Sequence, residues 1–229
     1  MAEQPPPATY SERIEQFCVP VPLPDGTRAW LGPVLRSDRE ALAQEYLTLS
    51  EEAKWHRFLS AVPHLTPSML DQLVDDVDGV NHVALVAFVE TPGGVAPVGI
   101  GRIVRYEDQP DAADIALTVK DAFHNRGIAT AMARELVELA PEGVTHLLTE
   151  VAADNPAPVA ILGKLGEMRT LGTGEGVLDV EVDITGAGLP DREPEGGRLH
   201  PVLSAPWRRG MWLRDRVCDE LGRMTRDDD

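Results

Sequence analysis

A chain of 229 residues, 43% of them hydrophobic, carries enough apolar material for one sizeable core, which excludes global disorder. Its formal net charge of −17 excludes binding to a nucleic-acid backbone or an anionic membrane through bulk electrostatics, and suits a cationic partner such as an amine or a lysine-bearing protein. The two cysteines, Cys18 and Cys218, lie near opposite ends, and neither a long apolar run nor a basic-then-apolar leader is present, so the expected setting is cytoplasmic.

Met1 to Gly26 hold six prolines and no sustained periodicity, and read as an extended arm. Thr27 to Leu35 reads as a first strand. Ser37 is then placed to cap a helix and Glu40 to complete a capping box, with Leu42, Tyr46, Leu47 and Leu49 on the apolar side. A second helix is expected from Glu51 to Leu59, with Trp55, Phe58 and Leu59 as its apolar members. Thr66 caps a third, and Pro67 takes its first position, where the missing N–H costs nothing. Met69, Leu70, Leu73, Val74 and Val77 form its stripe.

The character then changes. His82 to Glu90 and Val98 to Tyr106 are β-prone runs separated by "TPGGVAP". Ala113 to Lys120 alternates, with Ile115, Leu117 and Val119 on one face and Asp114, Ala116 and Thr118 on the other. A helix opened by Gly127 carries Ile128, Met132, Leu136 and Leu139 on one stripe. "THLLTEVA" reads as a strand, "NPAPVAILGKLG" as a helix, and "GEGVLDVEVDI" as a final strand or hairpin. This order predicts an α/β (α+β) chain, a mixed central sheet with helices on both faces. Beyond Ile184 a linker-like stretch precedes one more amphipathic helix with Leu213, Val217, Leu221 and Met224. The expected organisation is thus an arm over 1–26, one domain over 27–184, and a linker with a helix over 185–229.

The transition from Val119 to Met132 runs from a strand through a polar, glycine-bearing turn into a helix. Unpaired N–H groups point out of a helix N-terminus, where the macrodipole is positive, and a glycine lets an anion approach the backbone. One glycine alone favours an ordinary strand-to-helix turn, in which Gly127 serves only backbone geometry. The chain has no G-x-x-x-x-G-K-[ST], no G-x-G-x-x-G after a first strand, and no G-x-S-x-G, H-E-x-x-H or paired-cysteine metal pattern.

The spacing in "HNRGIA" resembles the [QR]-x-x-G-x-[GA] loop that binds the coenzyme A pyrophosphate in the GNAT acetyltransferase superfamily. His124 stands where Gln or Arg is usual, Gly127 is the central glycine and Ala129 fills the last position. "VAADNPAPVAILGKLG" is similar to the superfamily's next block, with Asn155 opening a helix that closes at Gly166. The resemblance covers about residues 28 to 184. It implies a V-shaped splay between two parallel strands, entered by acetyl-CoA as co-substrate, with no metal. The backbone of Leu117, Thr118 and Val119 would pair with the pantetheine. The amides of His124, Asn125, Arg126, Gly127, Ile128, Ala129 and Thr130 would cradle the pyrophosphate, and Asn155 would lie beside the pantetheine arm.

The N-terminal half, from "LSEEAKWHRF" through "LTPSML" to "HVALVA", resembles bacterial protein-lysine acetyltransferases. In that group an acidic residue precedes the loop in a pattern like A-E-x-A; here "ADIA" puts Asp114 there, one methylene shorter, as the implied catalytic base working through a bridging water. Leu162 stands where many members carry a proton-donating tyrosine, and Glu167 replaces a usual aromatic residue. The implied function is N-acetyl transfer to an amine, a protein lysine before a small metabolite, by a monomer or homodimer that binds neither nucleic acid nor membrane. Two rivals stay open: a catalytically weak coenzyme A-binding regulatory protein, and a small-amine or antibiotic acetyltransferase. Glu150, Glu175 and Asp179 are candidates for an acidic acceptor groove, and Tyr106 is a candidate proton donor if it faces the gap.

Overall fold

The computed structural model describes residues 9–174 and 176–186. Along them run α1 (Tyr10–Phe17), β1 (Val19–Pro22), β2 (Arg28–Pro33), α2 (Arg39–Leu47), α3 (Glu51–Phe58), α4 (Pro67–Leu70) and β3 (His82–Thr91). There follow β4 (Gly94–Arg105), β5 (Ala112–Val119), α5 (Ile128–Glu138), β6 (His146–Ala152), α6 (Pro156–Leu162), β7 (Glu167–Gly174) and β8 (Val177–Asp183). The expected C-terminal helix and Glu175 lie outside the described residues.

The strands form one eight-stranded sheet in the order β1-β2-β3-β4-β5-β6-β8-β7. Neighbours are antiparallel except β5 and β6, which run parallel and pair only at Ala112 with His146 and Ala113 with Leu147. Beyond those two residues the strands part, so the mixed sheet carries the splay that the resemblance implied. β3 lies deep in the sheet, and His82 to Val89 are all buried. Such a run, apolar on both faces, is what a strand covered by helices on either side requires.

One face of the sheet is covered by α5 and α6. Val83, Leu85, Ile103, Ile115 and Leu147 meet Leu136 and Leu162 there. Close approach of α5 depends on Gly101, where a Cβ would stand 2.6 Å from Leu117 Cδ2 and 2.8 Å from Met132 Cε. The opposite face is covered by α1 to α4. Ala84, Val86 and Phe88 pack there against Tyr46, Leu65, Met69 and Leu73, and the ring of Tyr10 lies 5.4 Å from that of Phe88.

Several local expectations are revised. Tyr10–Phe17 is helical rather than part of an extended arm. It opens on a capping box in which Thr9 Oγ1 accepts from Glu12 N and Glu12 Oε2 accepts from Thr9 N. Its anchor is Arg13, which is buried, pairs with Asp38 at 2.5 Å and donates to Pro33 O. Asp38 also accepts from Leu35 N, so this aspartate, rather than a Ser37–Glu40 box, fixes the approach to α2. On α3 the inward face is Lys54, Arg57 and Phe58, while Trp55 is exposed. Lys54 is held inward by Glu51 and by the Tyr46 ring. The Thr66 cap and Pro67 start of α4 stand as expected, with Met69 N donating to Thr66 Oγ1. That helix passes into a π-helical turn, Asp71–Asp75. α6 ends at Leu162, short of Gly166, and the chain then forms the hairpin β7–β8.

β1 has the sequence Val-Pro-Val-Pro and forms one edge of the sheet, in register with β2 from Val19–Leu31 to Pro22–Arg28. Proline has no N–H to give a ladder, so Val19 and Val21 carry the donors toward β2.

Candidate functional site

The parting of β5 and β6 opens a cleft of about 1700 Å³. Asp114, Leu117, Val119, His124, Asn125, Gly127, Ile128, Ala129, Thr130 and Asn155 line it. Thr118 and Arg126 do not. Thr118 lines a small inner cavity of about 110 Å³ between the sheet and the N-terminal helices.

The loop from β5 to α5 is built to hold its amides outward. Asn125 and Gly127 both take left-handed backbone, at φ 59° and 87°. Such turns gather successive N–H groups into a concavity suited to an anion. The first bond within α5 runs from Ala131 N to Gly127 O, so the amides of Ile128, Ala129 and Thr130 have no partner inside the helix. Gly127 offers no side-chain cap, and the first turn carries no acidic residue to neutralise the dipole. The remaining loop residues brace it. His124 has its amide on Asp121 O and a ring nitrogen 2.8 Å from Val119 O. Arg126 donates to Asp25 at 2.8 Å and to Thr27 Oγ1, tying the loop to the turn before β2. These contacts, with the Thr27 amide and hydroxyl leading, hold the Asp25 carboxyl down at about 2.

Backbone direction along the splay follows from the ladders. Lys120 N donates to Val98 O and Tyr106 N to Ala112 O, so the even-numbered residues of β5 turn their backbone polar groups to β4. Leu117 and Val119 therefore turn theirs into the gap, while those of Thr118 are taken by β4. Across the gap the even residues of β6 face β5. Leu148 O is met there by the Tyr106 hydroxyl at 3.0 Å, and Thr149 Oγ1 bridges to Ile115 O at 3.1 Å. Tyr106 thus faces the gap with its proton directed to a carbonyl. Asn155 caps α6, with its side-chain oxygen accepting from Ala157 N.

Asp114 projects from the face covered by the N-terminal helices. Burial raises its pKa; a hydrogen bond from Thr149 and the charges of Arg57 and Arg102 oppose that rise. Arg102 is fully buried. It reaches Leu73 O at 3.3 Å, Gln72 O at 3.5 Å and His82 Nε2 at 3.3 Å, and so serves carbonyls of the π-helical turn. Arg57 lines both the cleft and the inner cavity. Sequence reasoning missed Arg57, Gln72, His82 and Arg102. The alternation of β4 and β5 places Arg102 and Asp114 on one face, but only the register, Val104 with Asp114 and Arg102 with Ala116, makes them neighbours.

Burial and the adjacent Arg102 push the His82 ring down to about 3, against a hydrogen bond to the Asp76 backbone that favours protonation. Below its ordinary value of about 6.5 the unfolded chain binds a proton that the folded chain refuses. Stability is therefore expected to fall as pH drops from about 6.5 toward 3, with a slope of at most about 1.4 kcal/mol per pH unit from this residue. Urea unfolding of wild type and His82→Asn across that range measures the difference, which is one proton in the slope.

Leu162, at the position of the usual tyrosine, is buried among the residues lining the cleft. Glu150 and Asp179 stand opposite each other in the β6–β8 register, both exposed on the cleft wall. His56 of α3 reaches Asp154 at 3.5 Å, joining the N-terminal helices to the turn after β6.

Comparison with known proteins agrees with this geometry. The family model described as an acetyltransferase (GNAT) domain matches residues 28–167. Acetyltransferase Pat of Mycolicibacterium smegmatis is 31% identical over 188 residues, covering 80% of this chain and 55% of that protein. Acetyltransferase PA5475 of Pseudomonas aeruginosa is 30% identical over 118 residues, covering 52% of this chain and 62% of that protein. The chain therefore spans less than two thirds of the length of either relative. The crystal structure of the GNAT domain of S. lividans PAT superposes with a TM-score of 0.63 at 27% identity, covering 72% of this chain and 96% of that one. With the family model spanning more than half of its length, the chain belongs to the GNAT acetyltransferase family.

Proposed function

We propose that the protein is an acetyl-CoA-dependent N-acetyltransferase whose acceptor is an amine, a protein lysine before a small metabolite. The observation that carries this reading is the juxtaposition of the uncapped, acid-free entrance of α5 with the unpaired edge of β5 and the Asp114 carboxylate, all on one cleft. The residues present fit the co-substrate. The amides of Asn125 and of Gly127 to Thr130 receive its pyrophosphate, with His124 and Arg126 bracing the loop. The backbone of Leu117 and Val119 pairs with the pantetheine amides, with Thr118 holding β5 on β4 between them, and Asn155 lies beside the pantetheine arm.

When bound, acetyl-CoA supplies a thioester carbonyl that an amine attacks. Asp114 accepts the proton the amine gives up, directly or through one water. Its raised pKa brings it nearer the neutral range where a base works best. Leu162 has no proton to give the departing thiolate, so solvent supplies the one that makes it a thiol. A lysine acceptor is supported by the formal charge of −17 and by Glu150 and Asp179 on the cleft wall, and acetyl transfer itself by the likeness to acetyltransferase Pat. A cytoplasmic setting accompanies this reading.

The test is acetylation of lysate proteins from labelled acetyl-CoA, run beside a polyamine and aminoglycoside panel. Labelled Nε-acetyl-lysine is the expected product. Label on the small amines alone would replace the acceptor assignment. The buried Leu162 also favours a second reading, a coenzyme A-binding regulatory protein. Coenzyme A binding without transfer to any amine would establish it.

A further inference from the structure

One polar group in the cleft that the proposed function leaves unused is Gln72. It is 5% exposed, lines the cleft from the π-helical turn Asp71–Asp75, and its Oε1 is buried with no hydrogen-bond partner among the described residues. A bare amide oxygen in such a place is costly, and a functional site is where that cost is retained. Two guanidinium groups stand nearby and neither serves it: Arg57 leaves its own Nη2 buried without a partner among the described residues. Arg102 spends its guanidinium on Gln72 O, Leu73 O and His82 Nε2. No described residue donates to Gln72 Oε1, which leaves it to a donor carried by a bound molecule.

Arg102 also locates Gln72. It is the diagonal neighbour of Asp114 on the same sheet face, and its guanidinium lies against the Gln72 carbonyl. Gln72 and Asp114 thus flank Arg102, and both line the one cleft. We infer that Gln72 is a positioning and specificity residue for the acceptor, its Oε1 taking one N–H of a primary amine while Asp114 takes the other. This rests on the acetyl-transfer reading above. A neutral primary amine has two hydrogens; held by two acceptors, they leave the nitrogen lone pair a single direction for attack. A secondary amine or a hydroxyl has one hydrogen and satisfies one acceptor. The pair therefore selects primary amines.

The experiment compares Nα-acetyl-lysine methylamide with its Nε-methyl analogue as acceptors, using wild type, Gln72→Met and Gln72→Glu. Gln72→Met keeps the shape and removes the oxygen. It should raise the KM for the primary amine about tenfold and bring the primary-to-secondary kcat/KM ratio toward unity, with the KM for acetyl-CoA within about twofold. Its melting temperature should stay level or rise, because an apolar group replaces a bare buried acceptor. Gln72→Glu keeps an oxygen and should restore most of the preference. An unchanged ratio in an active Gln72→Met overturns the inference and leaves the proposed function standing. Loss of folding stability together with acetyl-CoA binding assigns Gln72 a structural role and also overturns it. Wild type that binds coenzyme A yet acetylates neither amine nor any lysate protein removes the proposed function, and the inference with it.

Discussion

Asp114→Asn is expected to lower acetyl transfer by about 10²–10⁴-fold while coenzyme A affinity stays within about twofold. The asparagine preserves shape and hydrogen-bonding reach but cannot take a proton. Rate against pH should show an acidic limb in wild type, displaced above the ordinary carboxylate range because burial raises the Asp114 pKa. That limb should vanish in the variant. Stability should move the other way. A carboxyl whose pKa is raised by folding contributes stability below its unfolded pKa of about 3.9, and that contribution is lost as pH rises through the folded value. Above the folded value the buried carboxylate opposes folding, and there Asp114→Asn should melt at a higher temperature. Stopped acetyl transfer with a higher melting temperature is the paired signature of a site group held at a cost to the fold. Undiminished transfer would remove Asp114 from the chemistry.

The second large effect is expected at Gly127. Its φ of 87° is left-handed, and a Cβ there would stand 2.8 Å from Pro24 Cδ, a ring atom with little freedom to withdraw. Gly127→Ala should cost about 1–2 kcal/mol of stability from the backbone alone and lower coenzyme A affinity about tenfold or more, because the amides of Ile128, Ala129 and Thr130 turn with the strained residue. Gly143 supplies the control. It has φ 88° and nothing within 4 Å of a built Cβ. Gly143→Ala should lose similar stability with coenzyme A affinity unchanged. Calorimetric titration of coenzyme A into both variants separates strain from loss of the loop. Equal affinities would dissociate the Gly127 turn from ligand binding.

What could be read beforehand was what is local. The alternation of β5, the glycine and the 3.6-residue stripe of α5 all lie within a few residues of one another, so strand, turn and helix were legible. α1 was legible in principle, since Thr9 and Glu12 have capping-box spacing. Six prolines around them disguised it, and its anchor, Arg13 to Asp38, spans 25 residues. β7 showed no apolar alternation because most of its residues are exposed. The His124 amide was expected in the cradle, yet it is spent on Asp121 O and its ring is turned back on Val119 O, five residues earlier. The cluster of Arg57, Gln72, His82 and Arg102 had no signature at all. It is assembled by register between two strands, β3 and β4, and by helical segments arriving from elsewhere in the chain, and cross-strand neighbours leave no trace in spacing.

The Val-Pro-Val-Pro edge has a bearing on how copies of this protein meet one another. An exposed edge strand ordinarily invites a second chain to add itself and, repeated, templates fibrous aggregates. With Pro20 and Pro22 facing outward, β1 offers an incoming strand no N–H at either position. At the far edge β7 breaks its register between Thr170 and Gly172. An eight-stranded sheet that would otherwise be extendable at both ends is blunted at one by imino acids and at the other by a bulge, so neither outer edge is an open template for an added strand.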